Sequence, residues 1–251
     1  VLLTALLASL LLAGPGCAAL PPSPSPTRAR LPTPAVTEDP YAGLRQWMVE
    51  RQIAGRGIAN QRVLEAMRTT PRDRFVPADL IAQAYEDHPL PIGYGQTISQ
   101  PYIVALMTEM LDPQPADVVL EIGTGSGYQA AVLAGLVQHV YTVEIIPELA
   151  ESAAQRLQEL GYGNVTVANL DGYFGWPEHA PFDKIIVTCA PDHIPPELVE
   201  QLSEGGRMAI PVGPAGFGQT LWLVEKVSGE ALTTNYGLVS FVPLTGGHEE
   251  K

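Results

Sequence analysis

The sequence predicts an α/β protein built on a doubly wound, mostly parallel sheet, with helices before it and antiparallel strands after it. Three observations carry this. From Asp117 onward short apolar runs alternate with helical patterns, as parallel strands covered on both faces require. A glycine-rich turn, Gly123-Thr124-Gly125-Ser126-Gly127, links the first of those strands to a helix. Finally, 251 residues with 46% hydrophobic and 16% charged side chains can bury one large core, which excludes a disordered chain.

The elements follow in order. Folded structure is expected from Tyr41. Leu44, Trp47, Met48 and Arg51 read as one helix with an apolar stripe, and Val63, Leu64 and Met67 as a second that Asn60 caps. Pro71 and Pro77 break the pattern, and Pro89 to Gln100, with Gly93 and Gly95, reads as an ordered loop. Pro101 suits the first turn of a helix through Ile103, Leu106, Met107 and Met110. Five parallel strands are then expected at Val118–Ile122, Val140–Val143, Val165–Ala168, Lys184–Thr188 and Met208–Val212. Pro147–Leu160 reads as a helix stopped by Gly161, and Pro196–Leu202 as one ending at Gly205 and Gly206. Leu221–Val227 and Leu238–Val242, β-branched and aromatic, read as antiparallel additions.

The ends divide the chain into residues 1–20, an apolar leader, residues 21–40, a Pro/Ser-rich linker, and residues 41–251, the folded domain. The apolar run 1–13 is too short to span a bilayer comfortably. It reads either as an export leader, with Cys17 at a lipoprotein-like cleavage site, or as a translated extension upstream of the true start. Fourteen basic against 27 acidic residues give a net charge of −13, which opposes a nucleic-acid partner. Cys17 and Cys189 lie too far apart in character to suggest a disulfide framework. His88, His139, His179, His193 and His248 lack the close spacing of metal ligands, so no metal is expected.

The glycine turn carries the chemistry. A strand-to-helix turn with three glycines lets the backbone approach a ligand, and the helix start offers free N–H groups. Glu144, ending the next strand, can accept from both ribose hydroxyls, and Asp171-Gly172 after the third strand can reach an adenine amine. The spacing Gly-x-Gly-x-Gly behind Glu121 differs from the Gly-x-Gly-x-x-Gly that seats a pyrophosphate. A nucleoside ligand without phosphates fits better, and S-adenosylmethionine, with its positive charges, suits the acidic side chains.

Longer segments resemble one family. Arg74-Phe75-Val76-Pro77, Pro89 through Pro101, Glu121 through Ala134, Pro181-Phe182-Asp183 and Phe241-Val242-Pro243-Leu244 are together similar to the protein-L-isoaspartate O-methyltransferases over nearly all of residues 41–251. The resemblance implies a Rossmann-like methyltransferase that transfers methyl from S-adenosylmethionine to the α-carboxylate of isoaspartyl residues in damaged proteins and peptides, starting repair through a succinimide. It implies that Ser99, in Thr97-Ile98-Ser99, is the catalytic position. Cofactor contacts are implied for Thr97, Ile98, Glu121, Gly123, Thr124, Gly125, Ser126, Gly127, Glu144, Asp171 and Gly172. Thr245 matches a position that closes over the site, and His88 is a candidate contact to the peptide. Three departures stand out: Leu170 where a glycine usually precedes Asp171, Cys189 in place of an alanine, and the leader and proline-rich tail as additions.

A serine suits this chemistry. The nucleophilic carboxylate, with an ordinary pKa of about 3.5 to 4, is already ionised at neutral pH and needs aim rather than a base. Ser99 also reads as a helix cap before Pro101. Competing readings are a nicotinamide-dependent oxidoreductase, a binding protein without turnover, and a nucleic-acid methylase; the last lacks an Asn/Asp-Pro-Pro-aromatic motif. A monomer in the cytoplasm is expected, where the cofactor is supplied. Export, with membrane attachment through Cys17, is the alternative.

Overall fold

The computed structural model divides the chain into two units, Val1–Glu38 and Asp39–Lys251, and describes Leu2, residues 39–214 and residues 217–246. The leader with Cys17 and the linker, apart from Leu2, Asp39 and Pro40, lie outside the described residues.

The N-terminal layer corrects the expected stripe. Helix α1 (Ala42–Trp47) passes into a π-helical run, Met48–Ile53. The wider turn resets the phase, so Met48, Val49 and Ile53 are buried while Leu44 and Trp47 are half exposed. Helix α2 (Gln61–Thr69) is capped as expected. Asn60 Oδ1 accepts from Arg62 N at 3.0 Å and Val63 N at 3.3 Å, which turns Val63, Leu64 and Met67 inward.

The segment read as a loop is a hairpin. Strands β1 (Leu90–Gly93) and β2 (Gln96–Ile98) pair Leu90 with Ile98 across a turn at Tyr94 and Gly95, both at positive φ. Strands of four and three residues are too short for alternation to register. Helix α3 (Pro101–Leu111) then begins on its proline as expected.

The main sheet has seven strands, β3 (Val118–Ile122), β4 (His139–Glu144), β5 (Val165–Asn169), β6 (Phe182–Val187), β7 (Leu202–Val212), β8 (Gln219–Val227) and β9 (Glu230–Val239). Their order is β5-β4-β3-β6-β7-β8-β9. The pairs from β5 to β7 are parallel, and β8 and β9 are antiparallel. Helices α4 (Tyr128–Ala134), α5 (Pro147–Glu159) and α6 (Pro196–Gln201) fill the crossovers. The strands are apolar on both faces. Val119, Val140, Ile186 and Ala209 join one core with α2, α3 and α4, while Leu120, Ile122, Val143, Ile185, Val187, Met208 and Ile210 join a second with Leu198 of α6. Each of the Val, Leu, Ile and Met side chains among them contributes about 1.5–3 kcal/mol of burial.

Two boundaries differ from expectation. β7 starts at Leu202 directly after α6, because Lys226 Nζ of β8 donates to the carbonyls of Val199, Glu200 and Leu202 and closes the helix end. Gly205 and Gly206 therefore lie inside a strand. The last strand is Glu230–Val239, not Leu238–Val242. It is an exposed edge on which even Leu232, Tyr236 and Leu238 stay open to solvent, so burial imposes no alternation on it, and a Ser228-Gly229 turn tied to the Glu204 carboxylate sets its register.

Candidate functional site

The sheet switches direction between β3 and β6, whose neighbouring connections leave toward opposite sides. Ligands of such sheets bind outside the carboxyl ends of the strands at that crevice. Its floor here is the turn after β3. Gly123 stands at φ +95°, where a Cβ would lie 2.5 Å from Thr188 Oγ1, so only glycine lets the two loops meet. The Thr188 hydroxyl donates to Gly123 O at 2.7 Å and locks them together.

A cleft opens there, lined by Gln96, Thr97, Gly123, Gly125, Glu144, Gly172, Thr188 and Cys189, with Val242–Thr245 along its other side. That last segment is held by a two-residue bridge, Ala190 N to Val242 O at 2.8 Å and Leu244 N to Ala190 O at 2.9 Å. Glu144 is buried, and its carboxylate accepts from Gly125 N at 2.8 Å and Ile146 N at 3.0 Å, which fixes it at the cleft wall. Among the described residues no Lys or Arg lines the cleft, so no side-chain cation there would pair with a phosphate. Burial pushes the Cys189 thiol up, leaving it a neutral wall residue.

A second, smaller cavity sits behind Thr97, Ile98 and Ser99 and is lined also by Glu121, Gly123, Thr124, Ser126 and Thr188. Glu121 is fully buried, and neither carboxyl oxygen has a hydrogen-bond partner among the described residues. Burial pushes its pKa up to about 8, with the Glu144 charge adding to the rise. The Thr142 hydroxyl beside it bonds Thr124 at 2.7 Å. A third cavity, about 800 Å³, lies on the far side of Thr97 and Ser99 against α3 and the end of β9. Thr97 and Thr188 line all three cavities.

Most expected positions thus converge. Thr97, Gly123, Gly125, Glu144, Gly172 and Thr245 line the cleft; Ile98, Ser99, Glu121, Thr124 and Ser126 line the cavity behind it. Three stand outside. Gly127 lines none of the three cavities. A Cβ there would lie 3.2 Å from Leu157, so it serves the close packing of α4 on α5. Asp171 caps the turn Gly172–Phe174 by accepting from Tyr173 N at 3.0 Å, and its carboxylate lies against Gly246. His88 contacts Glu86 at 2.8 Å and the Pro89 carbonyl at 2.9 Å and lines none of the three cavities, although Pro89 lines the largest. Both contacts, the Pro89 carbonyl first, hold its pKa above the usual histidine value.

Ser99 is no cap. Gln100 holds that position, and no side chain bonds the first turn as a cap. Leu170 is accommodated, since it is absent from the positive-φ residues and its N–H donates to Glu144 O at 3.1 Å. Sequence reasoning missed Thr188. Its signal was its place just past a central strand on the carboxyl side, where loops of this fold carry their sites.

A family model described as protein-L-isoaspartate(D-aspartate) O-methyltransferase matches residues 44–249. The chain belongs to that family. The protein-L-isoaspartate O-methyltransferase 2 of Syntrophobacter fumaroxidans is 55% identical over 221 residues, covering 84% of this chain and 90% of its own length. A protein-L-isoaspartate O-methyltransferase of Picosynechococcus is 53% identical over 215 residues, covering 86% and 96%. Among solved structures, a protein-L-isoaspartate O-methyltransferase superposes with a TM-score of 0.74 at 29% identity, over 82% of this chain and 66% of that one. A Plasmodium falciparum member in complex with S-adenosyl-L-homocysteine superposes with a TM-score of 0.70 at 24% identity, over 80% and 98%, which speaks for the fold. In the block Pro181-Phe182-Asp183, Asp183 Oδ2 accepts from Val118 N at 2.8 Å and sets the start of β3. Among the described residues no cluster of His, Cys, Asp and Glu could hold a metal, and no helix is long and apolar enough to cross a membrane.

Proposed function

We infer that this chain methylates the free α-carboxylate of L-isoaspartyl residues in proteins and peptides, using S-adenosylmethionine, and so starts their repair through a succinimide. The observation that carries the reading is the shared wall. A cation-free cleft with an anchored carboxylate and an open cavity of about 800 Å³ meet at Thr97 and Thr188, with Ser99 beside the junction.

The cleft suits the cofactor's chemistry. Glu144 would take the ribose hydroxyls, the Gly123–Gly125 backbone would flank the methionine part, and Gly172 would lie under the adenine, where a Cβ would run into Ile122. The bound cofactor supplies an electrophilic methyl on a sulfonium. The protein's part is positioning. Ser99 Oγ–H would donate to the substrate carboxylate and hold one oxygen toward the junction. No general base is required, because the carboxylate is ionised at neutral pH. The buried Glu121 beneath the turn would favour a cationic ligand above it once ionised.

The test is transfer of labelled methyl from S-adenosylmethionine to an isoaspartyl peptide, with the matching aspartyl peptide as control. Base-labile label on the isoaspartyl peptide alone supports the reading, and none on either refutes it. A cytoplasmic monomer is the setting this chemistry favours, since the cofactor is made there.

A further inference from the structure

The large cavity beside Ser99 has a wall of unusual charge for this protein. Among the residues lining it, only Arg56 is charged; most of the rest are apolar, with Ile103 and Leu106 of α3 on one side and Leu238 and Phe241 on the other. A chain of net charge −13 thus lines the cavity next to its expected nucleophile's seat with one cation and no carboxylate.

Arg56 is held in place. Its guanidinium carbon lies 3.6 Å from the centre of the Tyr102 ring, and Nη1 donates to Asp87 Oδ2 at 2.6 Å. Asp87 is itself fixed, accepting from Gln100 Nε2 at 2.9 Å and Tyr102 N at 3.2 Å. One of five N–H donors is therefore used among the described residues, the side chain is still 46% exposed, and the planar group is pre-oriented with little rotamer freedom left to lose. A guanidinium so fixed suits two-point pairing with a second carboxylate.

We propose that this cavity seats the residues flanking the isoaspartate and that Arg56 makes the enzyme favour segments carrying an acidic side chain there. This rests on the methyltransferase reading and adds a substrate class to it. The occupant is the substrate polypeptide itself, because the cavity runs on without a break from Ser99. Tyr102 is the platform on which the cation rests, and Asp87 is a positioning residue for it.

The test uses isoaspartyl peptides that differ only in Glu or Gln at one of the two positions before or after the isoaspartate, assayed at 0.15 M salt. For the wild-type chain, kcat/KM is expected to favour Glu by about three- to tenfold at one position or more. In Arg56→Gln that ratio is expected to fall to about one, and in Arg56→Lys to survive in part. The ratio is taken within each variant, so any loss shared by both peptides cancels. Where a variant turns over too slowly, the same ratio is read from dissociation constants for the two peptides. Equal use of Glu and Gln peptides by the wild type at every position overturns the proposal, as does an unchanged ratio in Arg56→Gln. Absence of methyl transfer to any isoaspartyl peptide instead removes the reading beneath it, and the Gln peptides tell the two failures apart.

Discussion

Ser99 and Glu121 line one small cavity and make opposite demands. Ser99 has only a hydrogen bond to offer. Its loss in Ser99→Ala is expected to lower kcat about 10- to 100-fold, the worth of one bond to a charged group, while the cofactor dissociation constant moves less than about twofold; labelled methyl transfer and calorimetry separate the two. Full activity would leave Ser99 without a role, since it does not cap α3. Glu121 instead carries a cost. Its folded pKa of about 8 stands above the ordinary 4.5, so the native state keeps a proton that the unfolded chain loses, and stability declines as pH rises through that window. Glu121→Gln removes this dependence. Without ligand, the variant's melting temperature is expected to match the wild type's near pH 4.5 and to exceed it by about 10 °C or more at pH 8.5; a constant gap across pH would place the carboxyl's titration elsewhere. Gly123→Ala is a steric counterpart. A Cβ pressed on Thr188 at φ +95° is expected to cost about 1–3 kcal/mol and weaken cofactor binding at least tenfold, read by melting and titration.

At the scale of elements, one loop residue organises the approach to the site. Asp87 gathers Arg56, Gln100 and the start of α3, and so fixes the two ends of the segment that carries Thr97 and Ser99. Asp87→Ala removes three bonds to a carboxylate, and its expected signature is a raised KM with a melting temperature lower by a few degrees; a kcat loss with unchanged KM would contradict it. Asp87 was invisible in the sequence because a carboxylate in a polar loop looks the same whether it is solvated or buried in bonds. Four of the five parallel strands were legible to within two residues, since burial on both faces writes continuous apolar runs such as Val118–Ile122, while the start of β7 was not. The glycine turn and Glu144 were legible for the same reason, being pinned to strand ends. What failed was exposed or short: β9, whose edge carries no burial pattern; the hairpin β1–β2, too brief for a period; and the phase of Met48–Ile53, which a π turn shifted. That Asp171 caps its own turn was not legible either, because an acid after a strand carries no sign in the sequence of which backbone N–H it accepts from.

Across the whole molecule two electrostatic effects act on a substrate with opposite sign. The chain's charge of −13 repels an anionic peptide at long range, and the cation of the Ser99 cavity attracts it at contact. Distance separates them. Raising ionic strength from 0.01 M to 0.15 M shortens the Debye length from about 30 Å to about 8 Å, which removes most of the long-range repulsion while an interaction within a partly desolvated cavity is screened much less. For an isoaspartyl peptide of net negative charge, kcat/KM is therefore expected to rise over that range, by about two- to fivefold if encounter is steered by a few unit charges, and for one of net positive charge to fall. The Glu-over-Gln ratio at the position that Arg56 reads should change little beyond the share owed to one unit of net charge. Stopped-flow or steady-state rates on matched peptides measure both. Should acidic and basic peptides respond to salt alike, the surface facing the incoming substrate would have to be locally neutral despite the chain's total, with the acidic side chains gathered away from the carboxyl end of the sheet.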